Sequence, residues 1–196
     1  MRIGVLGGTF DPIHLGHLTI AEEARDRLEL EEVCFVPAGD PWMKAGLPLS
    51  SAHDRLTMVR LAVEDNPFFR ISTVELERRG PSYTVDTLRE LQEDYGPDAR
   101  LFFILGTDAF ARFREWKDPQ GVLALAKLVV VDRPGECAST EAKEMHFAGS
   151  VERLRSVHLD ISAKDIRRRV AEGASIRYLV PELVERHIYA RGLYTA

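Results

Sequence analysis

The sequence is poor in cysteine and has no long hydrophobic run. Its two cysteines, Cys34 and Cys137, lie far apart, and neither has a neighbour at a metal-binding spacing. We therefore expect two free thiols in a reducing compartment and not a disulfide framework. No segment approaches the ~18 apolar residues of a transmembrane helix, and the residues before the first double glycine are too few for the apolar region of a signal peptide. These absences predict a cytoplasmic protein that does not associate with a membrane.

The sequence also lacks an excess of positive charge. Its 26 Lys and Arg residues against 31 Asp and Glu residues give a formal net charge of −5, so no overall field attracts nucleic acid. We expect a small-molecule ligand that is held by local basic groups. The two commonest phosphate-binding motifs, GxxxxGKS/T and GxGxxG, are absent as well. A phosphate site in this chain must therefore be built in another way.

Apolar segments of strand length alternate with amphipathic segments of helix length. This alternation predicts βαβ units around a mainly parallel sheet, which is a Rossmann-like, doubly wound α/β fold. The predicted strands are 2–6, 32–37, 69–74, 100–105, 127–132 and 156–160. The predicted helices between them are 15–28, 52–65, 85–95 and 119–126. Segment 135–150 has no clear periodicity.

Two further helices are predicted after the last strand. ISAKDIRRRVAEG begins with Ser162 as N-cap and ends before Gly173, and PELVERHIYARG begins at Pro181 and ends before Gly192. A chain of 196 residues with 45% hydrophobic content supports one core. We therefore expect a single domain, with an α/β core at 1–160 and a helical annex at 161–196. The oligomeric state stays open, a homo-oligomer included.

The segment GGTFDPIHLGH, residues 7–17, is the most informative part of the chain. Gly7 and Gly8 directly follow a predicted strand. The backbone can turn tightly there and bring amide N–H groups close to a ligand without obstruction by a Cβ atom. The segment therefore predicts an anion-binding turn between the first strand and the first helix.

Two histidines stand at the start of the helix that follows this turn. His14 and His17 are at positions i and i+3, so both side chains project from one face near the helix N-terminus, where the dipole is positive. Gly16 between them leaves room for close approach. Backbone and imidazole donors can hold a phosphate together at such a place. The competing interpretation is a capping or core role for His17 and a solvated His14.

These residues resemble a known family. GGTFDPIHLGH matches the HxGH signature of nucleotidyltransferases, and the chain in particular resembles the bacterial nicotinate-nucleotide adenylyltransferases. Those enzymes of NAD biosynthesis transfer AMP from ATP to nicotinate mononucleotide, which yields deamido-NAD and pyrophosphate. The resemblance covers nearly the whole chain, through SYTVDTL at 82–88, GTDAF at 106–110, Trp116, ISAKDIRRRVAEG at 161–173 and IRYLVP at 176–181.

The resemblance implies how the ATP phosphates are held. His14 and His17 contact them, and His17 stabilises charge at the α-phosphate, where the bond is exchanged. The backbone of Gly8, Thr9 and Phe10 lines the same pocket. The acceptor phosphate is already largely ionised near neutral pH, with a second pKa of about 6, so positioning and charge neutralisation must supply the catalysis. The sequence shows no serine or cysteine nucleophile with a matched base, and the family mechanism forms no covalent intermediate.

Lys44 is expected to act as a further catalytic cation. It lies in PAGDPWMKAG, a loop punctuated by glycine and proline, where a cation can close over the triphosphate. Many family members carry proline and histidine where this chain has Trp42 and Met43, which puts the conformation of the loop in question. The alternative is a solvated lysine.

Ser162 and Arg167 match the ISxxxxR pattern of the family. The resemblance implies that Ser162 and the first amides of its helix hold the β- and γ-phosphates, while Arg167 supplies a forked cation. Arg168 and Arg169 lie on other faces of the predicted helix. We expect them to be solvated.

The remaining expected contacts are to the two nucleosides. Gly106 and Asp108 belong to the block that contacts adenosine in the family, and Asp108 can accept a hydrogen bond from a ribose hydroxyl; a helix N-cap is its alternative role. Trp116 offers an aromatic face to the pyridine ring, with ordinary packing as the alternative. Tyr83 and Thr84 are expected to receive the nicotinate carboxylate.

Metal binding and three rival activities complete the expectations. No acidic cluster has the spacing of a metal cage, so we expect Mg²⁺ to be held mainly through the ATP phosphates, with Mg·ATP as the substrate.

Pantetheine-phosphate adenylyltransferase shares the HxGH turn, but SYTVDTL, Trp116 and IRYLVP argue against it. An enzyme that prefers nicotinamide mononucleotide differs only by an amide for a carboxylate. A nucleotide-binding sensor that has lost the reaction is the rival outside the enzyme class.

Overall fold

The structure is a computed structural model that describes residues 1–41, 48–132, 149, 151–157 and 159–195. The predictions for Lys44, for Cys137 and for most of segment 135–150 lie outside the described residues. The strands are β1 (Arg2–Gly8), β2 (Glu32–Pro37), β3 (Phe69–Ile71), β4 (Arg100–Gly106), β5 (Ala126–Asp132) and β6 (Val151–Arg155). The helices are α1 (Leu15–Arg27), α2 (Ala52–Val63), α3 (Val74–Glu77), α4 (Thr84–Tyr95), α5 (Thr107–Ala111), α6 (Pro119–Leu125), α7 (Ala163–Ala171) and α8 (Glu182–Ala190), with a 3₁₀ turn at Phe113–Glu115. None of the helices in these ranges is long and apolar enough to cross a membrane.

The described strands form a six-stranded sheet in the order β3-β2-β1-β4-β5-β6. Every neighbouring pair is parallel, which confirms the predicted Rossmann-like, doubly wound fold. The chain builds outward from β1 to β3 on one side and then returns to place β4 on the other side of β1. In such sheets ligands bind beyond the carboxyl ends of the strands at this switch point. Those ends are Gly8 of β1 and Gly106 of β4.

Each face of the sheet has its own hydrophobic cluster. The α1 face, covered by α1, α2, α7 and α8, buries residues that include Leu6, Phe35, Ile104, Val129 and Ile166. The α4 face, covered by α4, α5 and α6, buries residues that include Val5, Val36, Leu88, Phe103 and Val130. Successive residues of a strand point to opposite faces, and so the continuous apolar runs of the central strands supply both clusters.

The third predicted strand is too long, and two short helices were not predicted. Strand β3 ends at Ile71, and helix α3 begins at Val74. The apolar side chain of Val74, which extended the predicted strand, packs against the cluster of the α4 face from this helix. Helices α3 and α5 are too short for a 3.6-residue period to become visible in the sequence.

The last predicted strand is misplaced. The prediction put it at 156–160, whereas β6 is Val151–Arg155 and pairs with β5. This strand lies at the edge of the sheet and buries only Leu154, so its sequence carries little apolar signal. Val157 and Leu159, which suggested the strand, are exposed.

The two helices after the sheet are confirmed. Ser162 is the N-cap of α7, and its Oγ accepts a hydrogen bond from the Asp165 N–H at 3.1 Å. Gly173 and Gly192 follow the two helix ends with φ of +70° and +59°, the left-handed region that favours glycine. Both helices bury side chains in the cluster of the α1 face. The other helix predictions hold apart from one or two residues at their ends.

Cys34 lies in β2 and is a free thiol, as predicted. Burial raises its pKa to about 12. Because the thiolate is the reactive form of cysteine, this side chain behaves as a small apolar residue of the α4-face cluster.

Candidate active site

The turn between β1 and α1 directs its carbonyl groups at protein donors. Three carbonyl oxygens accept hydrogen bonds: Gly8 from the Ala38 N–H at 2.8 Å, Thr9 from Arg55 Nη1 at 2.9 Å and Asp11 from Arg167 Nη1 at 2.6 Å. These bonds neutralise the negative ends of the peptide dipoles. An anion placed at the turn therefore meets less repulsion from the backbone.

The two predicted histidines meet at the start of α1. His14 is the N-cap residue, and the His17 ring stacks on the His14 ring with 3.7 Å between the centroids and 28° between the planes. His14 is only 7% exposed, so the interpretation of a solvated His14 is wrong. A capping contact does exist, because His17 Nδ1 accepts a hydrogen bond from the His14 N–H at 3.2 Å.

This capping contact assigns the tautomer of His17. A neutral imidazole that accepts a hydrogen bond at Nδ1 carries its proton on Nε2. The ring then carries its N–H donor at Nε2. The edge contact with the Phe10 ring, at 5.1 Å between centroids, further restricts the orientation of the imidazole.

Gly16 is required by the position of the His14 ring. A Cβ atom at residue 16 would lie 3.1 Å from His14 Nδ1 and 3.2 Å from its Cε1, which is closer than ordinary van der Waals contact. Any larger residue would require this ring to shift by a few tenths of an ångström. The close approach of a ligand at Gly16 stays a prediction.

The Phe10 side chain holds the turn against the hydrophobic cluster of the α1 face. Its backbone is in the left-handed region, with φ of +49°, which costs a non-glycine residue roughly 1–2 kcal/mol. Its ring is 2% exposed and packs between His17 and Phe35. Burial of such a side chain contributes about 1.5–3 kcal/mol and offsets the strain. Phe10 thus acts through its ring as well as through the predicted backbone.

Helix α7 brings Arg167 to the turn between β1 and α1, residues 9–14. This segment is called the phosphate turn from here on, after the role that the sequence predicts for it. Its Nη1 donates to the Asp11 carbonyl, a bond that uses one of the five N–H donors of the guanidinium. Arg168 and Arg169 instead form ion pairs with Asp165 on the surface of α7, as expected. The hydroxyl of Ser162, which accepts the capping bond, still has a proton to donate. Of the three consecutive arginines, Arg167 is the one in contact with the turn.

Two buried charged residues of this region were not predicted. Arg55 is 2% exposed, and its guanidinium donates to the carbonyl groups of Thr9, Ala38, Gly39 and Ser50. Burial lowers the pKa of this guanidinium, and the nearby carboxylate of Asp11 opposes that effect. The sequence carries a signal for Arg55, since it falls on the buried stripe of α2 beside Met58 and Val59. Asp11 stands inside the GGTFDPIHLGH segment itself.

Gly106 and Asp108 lie just beyond strand β4. Gly106 is the N-cap of α5 and Asp108 is exposed in its first turn, so the alternative role of Asp108 as N-cap is wrong. A Cβ atom at Gly106 would meet no heavy atom of the described chain within 4 Å. The space beyond this strand end is therefore open beside the Asp108 backbone.

Trp116 packs against the ring of Phe103, which in turn lies beside Gly7 at the end of β1. Its indole packs edge-on against Phe103, with 5.9 Å between ring centroids, and Phe103 reaches within 3.6 Å of the position of a Cβ atom on Gly7. Trp116 also contacts Phe113 at 5.4 Å. Ordinary packing, the alternative given above for Trp116, is thus part of its role. Its Nε1 is nevertheless buried without a hydrogen-bond partner in the described part of the chain.

Tyr83 and Thr84 begin helix α4 beside a cation. Tyr83 is the N-cap residue and Thr84 the first helical residue. Lys117 Nζ lies 4.6 Å from the centre of the Tyr83 ring and 2.8 Å from Asp86 Oδ2. Since Lys117 follows Trp116 in sequence, this contact joins the two predicted acceptor elements.

A buried carboxyl group lies behind Tyr83. Glu75 of α3 is 8% exposed and accepts a hydrogen bond from Thr87 Oγ1 at 2.7 Å. Burial raises its pKa. Ser82 Oγ accepts hydrogen bonds from the Gly39 and Asp40 N–H groups at 3.1 and 3.3 Å. These polar contacts connect the start of α4 to the segment that follows β2.

Comparison with known proteins places the chain in a family. A family model described as cytidylyltransferase-like matches residues 5–169. The chain belongs to the cytidylyltransferase-like family. A "Probable nicotinate-nucleotide adenylyltransferase" of Roseiflexus sp. (strain RS-1) is 48% identical over 195 residues, which cover 98% of this chain and 97% of that protein. A protein of the same name from Desulfitobacterium hafniense (strain Y51) is 46% identical over 198 residues, with 98% and 95% coverage.

Solved structures share the fold of this family member. Plasmodium falciparum nicotinic acid mononucleotide adenylyltransferase complexed with NaAD superposes with a TM-score of 0.80 and 19% identity, covering 98% of this chain and 97% of that one. The same enzyme complexed with APC gives a TM-score of 0.78 at 18% identity, with 98% and 96% coverage. At this identity the likeness concerns the fold.

Proposed function

We propose that this chain is a nicotinate-nucleotide adenylyltransferase, which transfers AMP from ATP to nicotinate mononucleotide and releases pyrophosphate. The observation that carries the proposal is the stacked pair His14 and His17 at the N-terminus of α1. Trp116 packs against Phe103, whose ring lies 3.6 Å from the position of a Cβ atom on Gly7, at the end of β1. The site thus combines phosphate donors with an aromatic face at one switch point. The full-length relatives at 46–48% identity carry this activity in their names.

The proposed reaction is an in-line displacement at phosphorus. An oxygen of the acceptor 5′-phosphate forms a bond to the α-phosphorus of ATP, and the bond from that phosphorus to the β-bridging oxygen breaks. The electron pair leaves with pyrophosphate, and no proton has to be removed from the attacking phosphate. Catalysis then consists of alignment and stabilisation of the charge on the transferred group.

The phosphate residues divide into donors on α1 and donors on α7. His17 Nε2–H is proposed to contact the α-phosphate, and His14 the neighbouring phosphates. Arg167 and Ser162 hold the β- and γ-phosphates from α7, and Lys44 adds a cation. The contact of Arg167 with Asp11 supports this division because it places α7 against the turn that presents both histidines.

The acceptor residues lie on the α4 face. Trp116 is proposed to stack on the pyridine ring, while Tyr83 and Thr84 receive the carboxylate. The Lys117 ammonium beside Tyr83 is already paired with Asp86 at 2.8 Å, so recognition of the carboxylate over the neutral amide of nicotinamide is assigned to Tyr83 and Thr84 and not to this cation. Gly106 and Asp108 then line the adenosine side of the open space beyond β4.

Magnesium is proposed to enter with ATP. Among the described residues, no group of three or more His, Cys, Asp and Glu side chains is placed to hold a metal ion. The donors at the turn are imidazole and guanidinium groups, which suit phosphate oxygens and not a cation. This donor set fits Mg·ATP as the substrate, with the metal on phosphate and water oxygens. A cytoplasmic location is also proposed, and the free thiol of Cys34 is compatible with it.

A pyrophosphate-release assay with Mg·ATP tests the proposal. Nicotinate mononucleotide, nicotinamide mononucleotide and pantetheine phosphate are compared as acceptors. We expect nicotinate mononucleotide to be preferred by at least tenfold in kcat/KM, which corresponds to about 1.4 kcal/mol. A tenfold preference for either rival acceptor would overturn the assignment. Tight ATP binding without pyrophosphate release from any acceptor would indicate the sensor instead.

A further inference from the structure

Asp11 of the phosphate turn is bonded through its side chain and through its backbone. It is 3% exposed, and both oxygens of its carboxylate accept hydrogen bonds. Oδ1 accepts from the hydroxyl of Tyr194 at 2.6 Å, and Oδ2 accepts from the Ser50 N–H at 3.2 Å. A buried carboxylate needs such partners, because an unpaired buried charge is costly.

The backbone of Asp11 is held as firmly as its side chain. Its carbonyl accepts from Arg167, and Pro12, Ile13 and His14, which follow it, are all buried. A displacement of Asp11 therefore reaches the His14 ring through packed residues that have little room to adjust. Catalytic groups must keep their positions to within about 0.5 Å.

We infer that Tyr194 is a positioning residue for the ATP-phosphate site and acts through Asp11. Tyr194 follows α8 and lies far from the turn in sequence, yet its hydroxyl donates directly to the carboxylate that precedes the two histidines. Burial, with the contact to Asp11, raises the pKa of this phenol, so the hydroxyl stays a donor at all physiological pH values. The inference rests on the proposed function, since the ATP phosphates are its readout.

A purely structural role for Tyr194 makes a different prediction. The ring packs against the cluster of the α1 face, so it contributes to stability whatever its hydroxyl does. Removal of the hydroxyl alone leaves this ring in place. A structural role would then change the melting temperature, whereas a positioning role changes the use of ATP more than the use of the acceptor.

Tyr194→Phe is the first variant of the test, and Tyr189→Phe is its matched control. Tyr189 is an exposed tyrosine on α8, so its variant also loses one phenol hydroxyl. Steady-state kinetics are measured well below the melting temperatures. We expect kcat/KM for ATP to fall about threefold to tenfold in Tyr194→Phe, the effect of one misplaced hydrogen bond. The KM for nicotinate mononucleotide should stay within twofold, and Tyr189→Phe should match the parent.

Unchanged ATP kinetics in Tyr194→Phe would overturn the inference, whether or not the melting temperature falls. An equal loss for both substrates would overturn it as well. A double-mutant cycle with Asp11→Ala, which removes the acceptor of the Tyr194 hydroxyl, tests the route through Asp11. We expect the double variant to lie within twofold of Asp11→Ala in kcat/KM for ATP, and losses that multiply would contradict the route.

The two proposals fail in distinguishable ways. If the parent protein releases no pyrophosphate with any acceptor, the proposed function fails. Equilibrium binding of ATP to the parent, Tyr194→Phe and Tyr189→Phe then still decides the role of Tyr194. Weaker binding in Tyr194→Phe alone supports it, and equal binding in all three proteins refutes it.

Discussion

The two ends of the candidate site are built from very different lengths of chain. At the phosphate end, on the α1 face, Asp11 receives bonds from Ser50, Arg167 and Tyr194, the last 183 positions away. At the proposed acceptor end, on the α4 face, Tyr83 contacts Thr87 and Lys117, and Trp116 contacts Phe103 and Phe113. The phosphate end therefore depends on contacts between distant parts of the chain, whereas these contacts at the acceptor end are nearly local. Under the proposed function, we expect substitutions in that short stretch to change acceptor specificity without disturbing the groups assigned to ATP.

The largest effect is expected at the phosphate end, from His17→Ala. Loss of the Nε2–H donor should lower kcat by roughly 10²–10⁴-fold, the range for a lost transition-state stabiliser. The fold should stay intact, with a melting temperature lower by a few degrees, because the variant also loses the capping bond to the His14 N–H and the stack on His14. His53→Ala, which removes an exposed histidine on α2, is the control for turnover. A His17→Ala enzyme with the parental rate would remove His17 from the mechanism.

Arg167→Ala should mainly impair the use of ATP. A lost hydrogen bond from a charged group corresponds to about 10- to 100-fold in kcat/KM for ATP. Arg168→Ala provides the control, since this neighbour pairs with Glu172 on the surface. Both variants are compared by KM for each substrate. Unaltered ATP kinetics in Arg167→Ala would contradict its role at the triphosphate.

Trp116→Ala should reverse this pattern of substrate effects. Loss of the stacking face should raise the KM for nicotinate mononucleotide about 5- to 100-fold, while the KM for ATP stays within twofold. Trp116→Phe keeps an aromatic face, so its KM for nicotinate mononucleotide should lie between those of the parent and Trp116→Ala. If Trp116→Ala weakens ATP and acceptor equally, the division into two ends is wrong.

The smallest effects concern two buried carboxyl groups, one on each face. Hydrogen bonds from Ser51 and Arg191 lower the pKa of Asp54 despite its burial. Asp54 therefore stabilises the fold above its unfolded pKa of about 3.8. This contribution disappears as the pH falls through the lowered pKa of the folded state. Burial raises the pKa of Glu75 above 4.5, so its favourable contribution is present below that value and is lost as the pH rises through the folded pKa.

Asp54→Asn and Glu75→Gln should therefore change thermal stability in opposite directions. As the pH rises from about 2.5 to 7, a range that spans both titrations, Asp54→Asn should lose stability relative to the parent and Glu75→Gln should gain it. A change of about 1 kcal/mol corresponds to roughly 2–4 °C in a chain of this size. Melting curves at both pH values check the prediction, which two shifts of the same sign would refute.

The fold was predictable from the sequence because it has local signals, and the anion-binding turn is predicted from one continuous segment. The alternation of apolar and amphipathic runs indicates the parallel sheet, whereas the order of its strands was not predicted and comes from the structure. The pairing of Asp11 with Tyr194 has no such signal, since nothing near Tyr194 distinguishes it from another surface tyrosine. Arg55 was detectable in principle, because it lies on the buried stripe of α2, whereas Glu75 lies in a helix too short to show a periodicity. The role of Lys44 stays a prediction.

The hydrogen bond between Asp11 and Tyr194 also bears on the order in which the protein is assembled during synthesis. Strand β1 is a central strand and has both neighbours only after β4 has been made. Asp11 gains its Tyr194 partner later still, since Tyr194 follows α8. A nascent chain that already contains both histidines and Trp116 therefore still lacks one bond of the phosphate turn. We expect such a chain to hold ATP less tightly than one in which the segment after α8 has folded.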